Sequence, residues 1–192
     1  MAAALVLMAV IALGIYASTL PLRGATVGPV TQKPGSTAIY GTDGPGALER
    51  APDFMSPDGG VALLTGLDDR PIRLADFTGR PLWIVFWATW CTPCQQEAVN
   101  IRAAYHAHEP DDLAVLAIDV QEPAAAVRDY VAVHDLDYTI GLDPTAAVMA
   151  LYAVRGLPSH VFVDRDGVIR TRYAGQMTAE LMDIHLETIT SP

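Results

Sequence analysis

The chain has 192 residues, with 22 acidic against 12 basic side chains and a formal net charge of −10 at pH 7. Its one lysine is Lys33 and its arginines are scattered, so it offers no basic cluster for a phosphate backbone, and nucleic acid is excluded as a partner. The roughly 140 residues that follow the first fifty are enough to bury a core without staples, so cross-linking is not the obvious role of the two cysteines.

Residues 2–20 carry no charge and consist mainly of Ala, Leu, Val, Ile and Met. A helix of that length spans about 28 Å, close to the hydrocarbon core of a bilayer. Residues 1–22 are therefore expected to form a membrane anchor. A cleaved signal peptide is the alternative, although Ala17-Ser18-Thr19 is a poor small-residue cleavage site. Arg23, Lys33 and Arg50 all follow this segment. On charge alone they place the rest of the chain in the cytoplasm; the chemistry below argues for the outside and decides the expectation. Residues 23–50 are rich in Gly, Pro, Thr and Ser and read as a flexible linker.

A domain over 51–192 begins at Ala51-Pro52-Asp53-Phe54. The short apolar pieces Val61–Leu64 and Ile72–Leu74 suggest a small hairpin. After a turn at Asp76–Pro81, the apolar run Leu82–Trp87 predicts a buried strand. A helix is expected over Pro93–His108, with Ala98, Ile101, Ala104 and Tyr105 among its apolar positions. Next come a strand over Leu113–Asp119 and a helix over Pro123–His134, then a short strand over Thr139–Leu142 and a short helix over Thr145–Tyr152. The turn Asp164-Arg165-Asp166-Gly167 joins strands His160–Val163 and Val168–Tyr173 as a hairpin. Thr178–Ile189 closes the chain as a helix, with Leu181, Ile184, His185 and Ile189 at helical spacing. Alternating strands and helices, then a hairpin and a helix, predict an α/β fold with a central mixed sheet and helices on both faces.

The two cysteines stand in Trp90-Cys91-Thr92-Pro93-Cys94, between the buried strand and the helix that follows it. A helix start favours thiolate over thiol, which makes Cys91 the expected nucleophile. Cys94, one turn further and more buried, would then attack the mixed disulfide formed at Cys91 and release the substrate reduced. A static disulfide closing so short a loop stabilises little. A zinc site needs four ligands, and no second pair of cysteines is present. Glu97, three residues after Cys94, shares its helix face and is a candidate proton acceptor; the plain alternative is a solvated acid in a first helical turn. Trp90 is a candidate apolar collar for Cys91, whereas Trp87 reads as packing. Pro158, in Gly156-Leu157-Pro158-Ser159, stands at a strand start, and His160 reads as structural or exposed rather than catalytic.

Three segments carry a resemblance: Ala51–Phe54, Val85–Glu97 and Gly156–Asp164. Together they resemble the thioredoxin-like TlpA/ResA family of membrane-tethered thiol–disulfide oxidoreductases that face the cell exterior or periplasm. The resemblance covers roughly Ala51 to Ile189. It implies a thioredoxin fold with an N-terminal β-hairpin extension and a central insertion around Asp135–Leu151. It implies Cys91 as the attacking and Cys94 as the resolving thiol of a redox disulfide, Pro158 as a cis proline facing that disulfide, and Glu97 as a catalytic acid. Trp90, Thr92, Pro93 and Leu157 become the candidate substrate-binding residues. The implied partners are a disulfide-bearing protein, such as an apocytochrome c before haem attachment, and a membrane thiol electron donor of the CcdA or DsbD type. No cofactor or metal is expected, and the domain is expected to be a monomer.

Thioredoxin itself carries a buried aspartate six residues before its first cysteine. Here that position is Val85, so an internal proton acceptor must lie elsewhere. A disulfide-forming oxidant remains the alternative. A peroxiredoxin would need Pro and Thr where Ile84 and Ala88 stand before Cys91, and copper-delivery domains of the related fold space their cysteines one residue further apart.

Overall fold

The structure, a computed structural model, describes residues 49–56 and 58–191. The expected anchor over 1–22 and nearly all of the 23–50 linker lie outside them. Among the described residues no helix is long and apolar enough to cross a membrane.

Six strands form one sheet: β1 (Thr65–Gly66), β2 (Leu82–Trp87), β3 (Ala114–Val120), β4 (Thr139–Asp143), β5 (Ser159–Val163) and β6 (Ile169–Ala174). Their order is β1-β4-β3-β2-β5-β6. The β2–β3 and β3–β4 pairs are parallel and the rest antiparallel, which is the expected mixed sheet. Every residue of the two central strands, β2 and β3, is buried. That is why both read as continuous apolar runs: each has a covered face on either side.

Side chains alternate between those faces. Trp83, Val85 and Trp87 of β2 point into one core, with Ile101 and Ala104 of α1 (Thr92–Ala107), Val127 of α2 (Ala124–His134), and Met182, Leu186 and Ile189 of α4 (Ala179–Thr190). Leu82, Ile84 and Phe86 point into the other, with Phe54, Leu64, Ile72, and Val148 of α3 (Ala147–Leu151). The dithiol belongs to the first core.

The N-terminal hairpin is present in reduced form. Ile72 N–H donates to the Leu64 carbonyl at 3.0 Å, and Thr65 bridges Pro71. No ladder grows from this, because Pro71 has no N–H and carboxylates take the next two donors: Arg73 N–H bonds Asp76 and Leu74 N–H bonds Asp53. Only Thr65–Gly66 pairs with the sheet, at the outer edge of β4. At the opposite edge, β6 is met at its start by the N-terminal segment, with Ile169 N–H on the Glu49 carbonyl and Ala51 N–H on the Gly167 carbonyl, each at 2.9 Å.

Two helices differ from their expected form. In α4 the buried stripe is Met182, Leu186 and Ile189, while Ile184 is exposed. The helix is apolar at both phases, and docking against the sheet selects the one led by Met182. Helix α3 starts two residues later than Thr145, where the Asp143 carboxylate accepts from Ala147 and Met149 N–H at 2.8 Å each and so caps it.

Candidate active site

Strand β2 ends at Trp87, and Ala88-Thr89-Trp90 turns the chain into α1. Cys91 is the N-cap of that helix, in extended backbone conformation, and Cys94 N–H points at the Cys91 sulfur across 3.4 Å. Pro93, within the first helical turn, contributes no donor. The Cys91 sulfur therefore stands at the positive end of a 16-residue helix with a backbone donor aimed at it. Cys91 and Cys94 are joined in a disulfide, with Cα atoms 5.2 Å apart. The expected difference in burial between them is absent in this oxidised form: linked within one turn, both share the same enclosure. Trp90 is 68% exposed and stands beside the disulfide as an apolar surface, whereas Trp87 is buried.

The buried line of α1 is Cys94, Glu97, Ile101 and Ala104. An acid thus occupies a core position of an amphipathic helix, and Ala98 and Tyr105 flank the line. Glu97 has no solvent exposure, which removes the solvated-acid alternative. Burial pushes its carboxyl up to about 8, opposed by the Met177 N–H that donates to Oε2 at 3.0 Å. Its other oxygen, Oε1, lies 3.4 Å from Nε2 of His160.

His160 is fully buried on β5, where its Cα partner in β2 is Val85. Its Nε2 is also 3.2 Å from the Gly175 carbonyl. Burial drives the ring down to about 3, against the Gly175 contact, so it is neutral at any ordinary pH. The sequence reading set His160 aside. The available signal was the register of β5: a histidine opposite Val85 falls on the dithiol's side of the sheet.

Two further acids were missed. Asp119 lies on β3 as the Cα partner of Trp87, on the dithiol face, and is buried. Burial pushes it up to about 8, helped by its hydrogen bond to Glu122 and by that neighbour's charge. Glu122 accepts from Thr89 twice, through the backbone N–H and the hydroxyl, and these bonds with the one from Asp119 hold it below its usual value in spite of burial. Gln95 donates from its side chain to the Thr89 carbonyl. The loop that delivers Cys91 is therefore tied to a carboxyl pair at the end of β3. The signal was an aspartate at the end of an otherwise apolar strand.

A pH-dependent stability follows. The folded pKa of Asp119 is raised from 3.8 to about 8, so its contribution is fully favourable below the unfolded value and is lost as pH rises towards 8. Asp119→Asn keeps a donor for Glu122 but cannot ionise. The variant is expected to be less sensitive to pH than the parent, with a gain in relative stability of order 1 kcal/mol or more between pH 5 and pH 8, since one pKa unit is about 1.4 kcal/mol. Urea midpoints at the two pH values check it.

The Leu157–Pro158 peptide is cis. The Pro158 carbonyl accepts from Gly175 N–H at 2.9 Å, and the Ser159 hydroxyl donates to the Gly156 carbonyl at 2.8 Å. The Leu157 side chain packs at the margin of both cores. Among the described residues no group of three or more His, Cys, Asp or Glu side chains is gathered as a metal site would require.

Comparison with known proteins agrees with this geometry. The model of the AhpC/TSA family matches residues 47–172. A thiol-disulfide oxidoreductase ResA of Geobacillus thermodenitrificans is 32% identical over 139 residues, covering 72% of this chain and 75% of that protein. A ResA of Bacillus cereus is 28% identical over 142 residues, covering 74% and 78%. Among solved structures, a thioredoxin-family thiol:disulfide interchange protein from Chlorobium tepidum superposes with a TM-score of 0.64 at 19% identity, over 75% of this chain and 97% of that one, a likeness of fold. The exposed lipoprotein thioredoxin Etrx1 of Streptococcus pneumoniae superposes with a TM-score of 0.56 at 25% identity, over 65% and 96%.

Proposed function

The chain belongs to the AhpC/TSA family and to the thioredoxin-like TlpA/ResA group of thiol–disulfide oxidoreductases, and from that premise we propose that it reduces disulfides of protein substrates outside the cytoplasm. The observation that carries the reading is the placement of Cys91 at a helix N-cap, with Cys94 and then the buried Glu97 on the line behind it. In the reduced protein the Cys91 thiolate attacks a substrate disulfide and one substrate sulfur leaves. Cys94 then loses its proton to Glu97 and displaces the second substrate sulfur from Cys91, closing the 91–94 disulfide. Two electrons pass to the substrate.

The surroundings favour reduction over oxidation. An oxidant is made by stabilising the thiolate of its reduced form. Here the helix start does so, but the ionisable side chains behind the dithiol are the carboxyl groups Glu97, Asp119 and Glu122 and the neutral ring of His160. None of them brings a positive charge to stabilise a second thiolate, so the dithiol lacks the stabilisation that makes a strong oxidant and is the better electron donor. Trp90, Thr92, Pro93, Leu157 and Pro158 are the proposed substrate contacts. An oxidising compartment is where such an activity has substrates, in keeping with the uncharged run over 2–20 as an anchor and with the word "exposed" in the name of Etrx1. A membrane thiol carrier of the CcdA or DsbD type would return the electrons, and an apocytochrome c with a Cys-x-x-Cys-His site is the proposed substrate.

The direction is tested with the reduced protein and an oxidised Cys-x-x-Cys-His peptide. The expected result is a reduced peptide and a closed 91–94 disulfide. Oxidation of the reduced peptide by the disulfide form, with a potential near the roughly −120 mV of a strong disulfide donor, would replace this reading with the oxidant one.

A further inference from the structure

His160 lies between two oxygens. Its Nε2 hydrogen-bonds the Gly175 carbonyl at 3.2 Å and lies 3.4 Å from Glu97 Oε1 without meeting hydrogen-bond geometry, so that among the described residues both Glu97 Oε1 and His160 Nδ1 are buried with no hydrogen-bond partner. A carbonyl oxygen only accepts, so the nitrogen that faces it carries the hydrogen. The opposite tautomer would aim a ring lone pair at that carbonyl and bury an N–H on Nδ1 with no acceptor, which is the costlier way to leave a group unpaired. The Nε2–H therefore lies beside the Glu97 carboxyl as well. Glu97 Oε2 already takes the Met177 N–H at 3.0 Å. Once ionised, the carboxylate would have a donor on each oxygen, and without His160 it would have one.

We propose that His160 is a positioning residue for Glu97: its Nε2–H, held beside the unpartnered Oε1 by the Gly175 carbonyl, becomes the donor of that oxygen when Glu97 ionises and so sets the pH at which Glu97 exchanges a proton with Cys94. This rests on the reading of Glu97 as the acceptor of the Cys94 proton. As Cys94 resolves the mixed disulfide, its proton passes to the Glu97 carboxylate and its sulfur electron pair forms the bond to Cys91. The substrate sulfur leaves with the electrons of the broken bond and is protonated by water. The carboxylate must exist before that step, and the ring N–H is what stabilises it in a fully buried site. A ring kept neutral by burial can act as this donor throughout the working range.

The other titratable groups facing the pair come from four elements. Cys94 precedes Glu97 on α1. Tyr173 of β6 has its ring 6.0 Å from that of His160. His185 of α4 opposes charge on His160, and burial holds it below its own usual value. Tyr138, ahead of β4, is raised mainly by burial, with Glu97 among the charges that add to the shift. With the one lowered and the other raised, His185 and Tyr138 are neutral in the range where Glu97 titrates. The donor position also answers the substitution at Val85: the polar group on this side of the sheet sits on the neighbouring strand, directly across from Val85.

The test needs the full chain in its reduced state, with labelled histidine and glutamate. Ring 15N shifts of His160 are expected to report the neutral Nε2–H tautomer from pH 5 to pH 9. The Nδ1–H tautomer, or an imidazolium in that range, overturns the proposal without any mutation. Side-chain 13C titration of Glu97 is expected to move up by about one unit in His160→Leu and to stay near the parent in His160→Gln, which retains an N–H donor. A one-unit shift makes the carboxylate about tenfold scarcer at neutral pH and slows resolution of the mixed disulfide by the same factor. An unchanged Glu97 titration in folded His160→Leu also overturns it. Glu97→Gln separates the two ideas. If that variant alters the pH profile of exchange and His160→Leu does not, only the role of His160 fails; if it leaves the profile intact, the reading of Glu97 has failed first.

Discussion

Replacing Cys94 with Ser is expected to convert the protein into a trap. Cys91 keeps its place at the N-cap of α1 and still attacks, but the serine that replaces its neighbour cannot displace the captured sulfur. Turnover of a protein disulfide should fall to the uncatalysed background while a covalent mixed disulfide accumulates at Cys91. Non-reducing gels and mass spectrometry of the adduct check this in cells and with purified substrate. Cys91→Ser should lose turnover and trapping together, because the remaining thiol lies one turn inside the helix and away from the free N–H groups of its start. If Cys91→Ser were the variant that traps, the order of attack would be reversed and the N-cap argument would fall. The trapped partner also identifies the substrate, and a Cys-x-x-Cys-His protein would support the apocytochrome assignment.

Glu97→Gln should have two large effects of different kind. The first is on stability. With its folded pKa raised from 4.5 to about 8, Glu97 contributes most favourably below the unfolded value. That contribution is lost as pH rises towards 8 and stays constant above it, because the unfolded chain ionises first. Gln fills the same space and does not ionise, so the variant should gain on the parent by a few kcal/mol between pH 5 and pH 8, at about 1.4 kcal/mol per unit. Denaturation at the two pH values measures it. The second effect is on rate. With no carboxylate to take the Cys94 proton, resolution of the mixed disulfide should slow, and the limb of the pH profile near 8 should disappear. A variant that gains stability on the parent towards pH 8 and loses rate there is the signature of a buried acid retained for its chemistry.

Much of this site was legible from residue order. The buried strand, the turn and the Cys-x-x-Cys helix start are local features: an apolar run, a thiol pair and a proline within one helical turn. Glu97 was legible as a spacing and not as an environment, since a first-turn glutamate is ordinarily solvated and its burial depends on which face of α1 meets the sheet. His160, Asp119 and Glu122 were hidden for a related reason. Their roles depend on pairing between strands distant in sequence, Val85 with His160 and Trp87 with Asp119. The phase of α4 was missed because its sequence supports two overlapping apolar stripes, and only packing chooses between them.

The borders of the sheet carry a further consequence. One border is a strand of two residues, and the other bears Arg170 and Arg172 and is met by the segment around Glu49. Among the described residues, an extended chain therefore meets a very short border on one side and, on the other, a border occupied at its start and bearing positive charge. For the unfolded protein substrate proposed above, this matters beyond the sulfur chemistry. Such a substrate would be let go once its disulfide is cut, rather than added as a seventh strand.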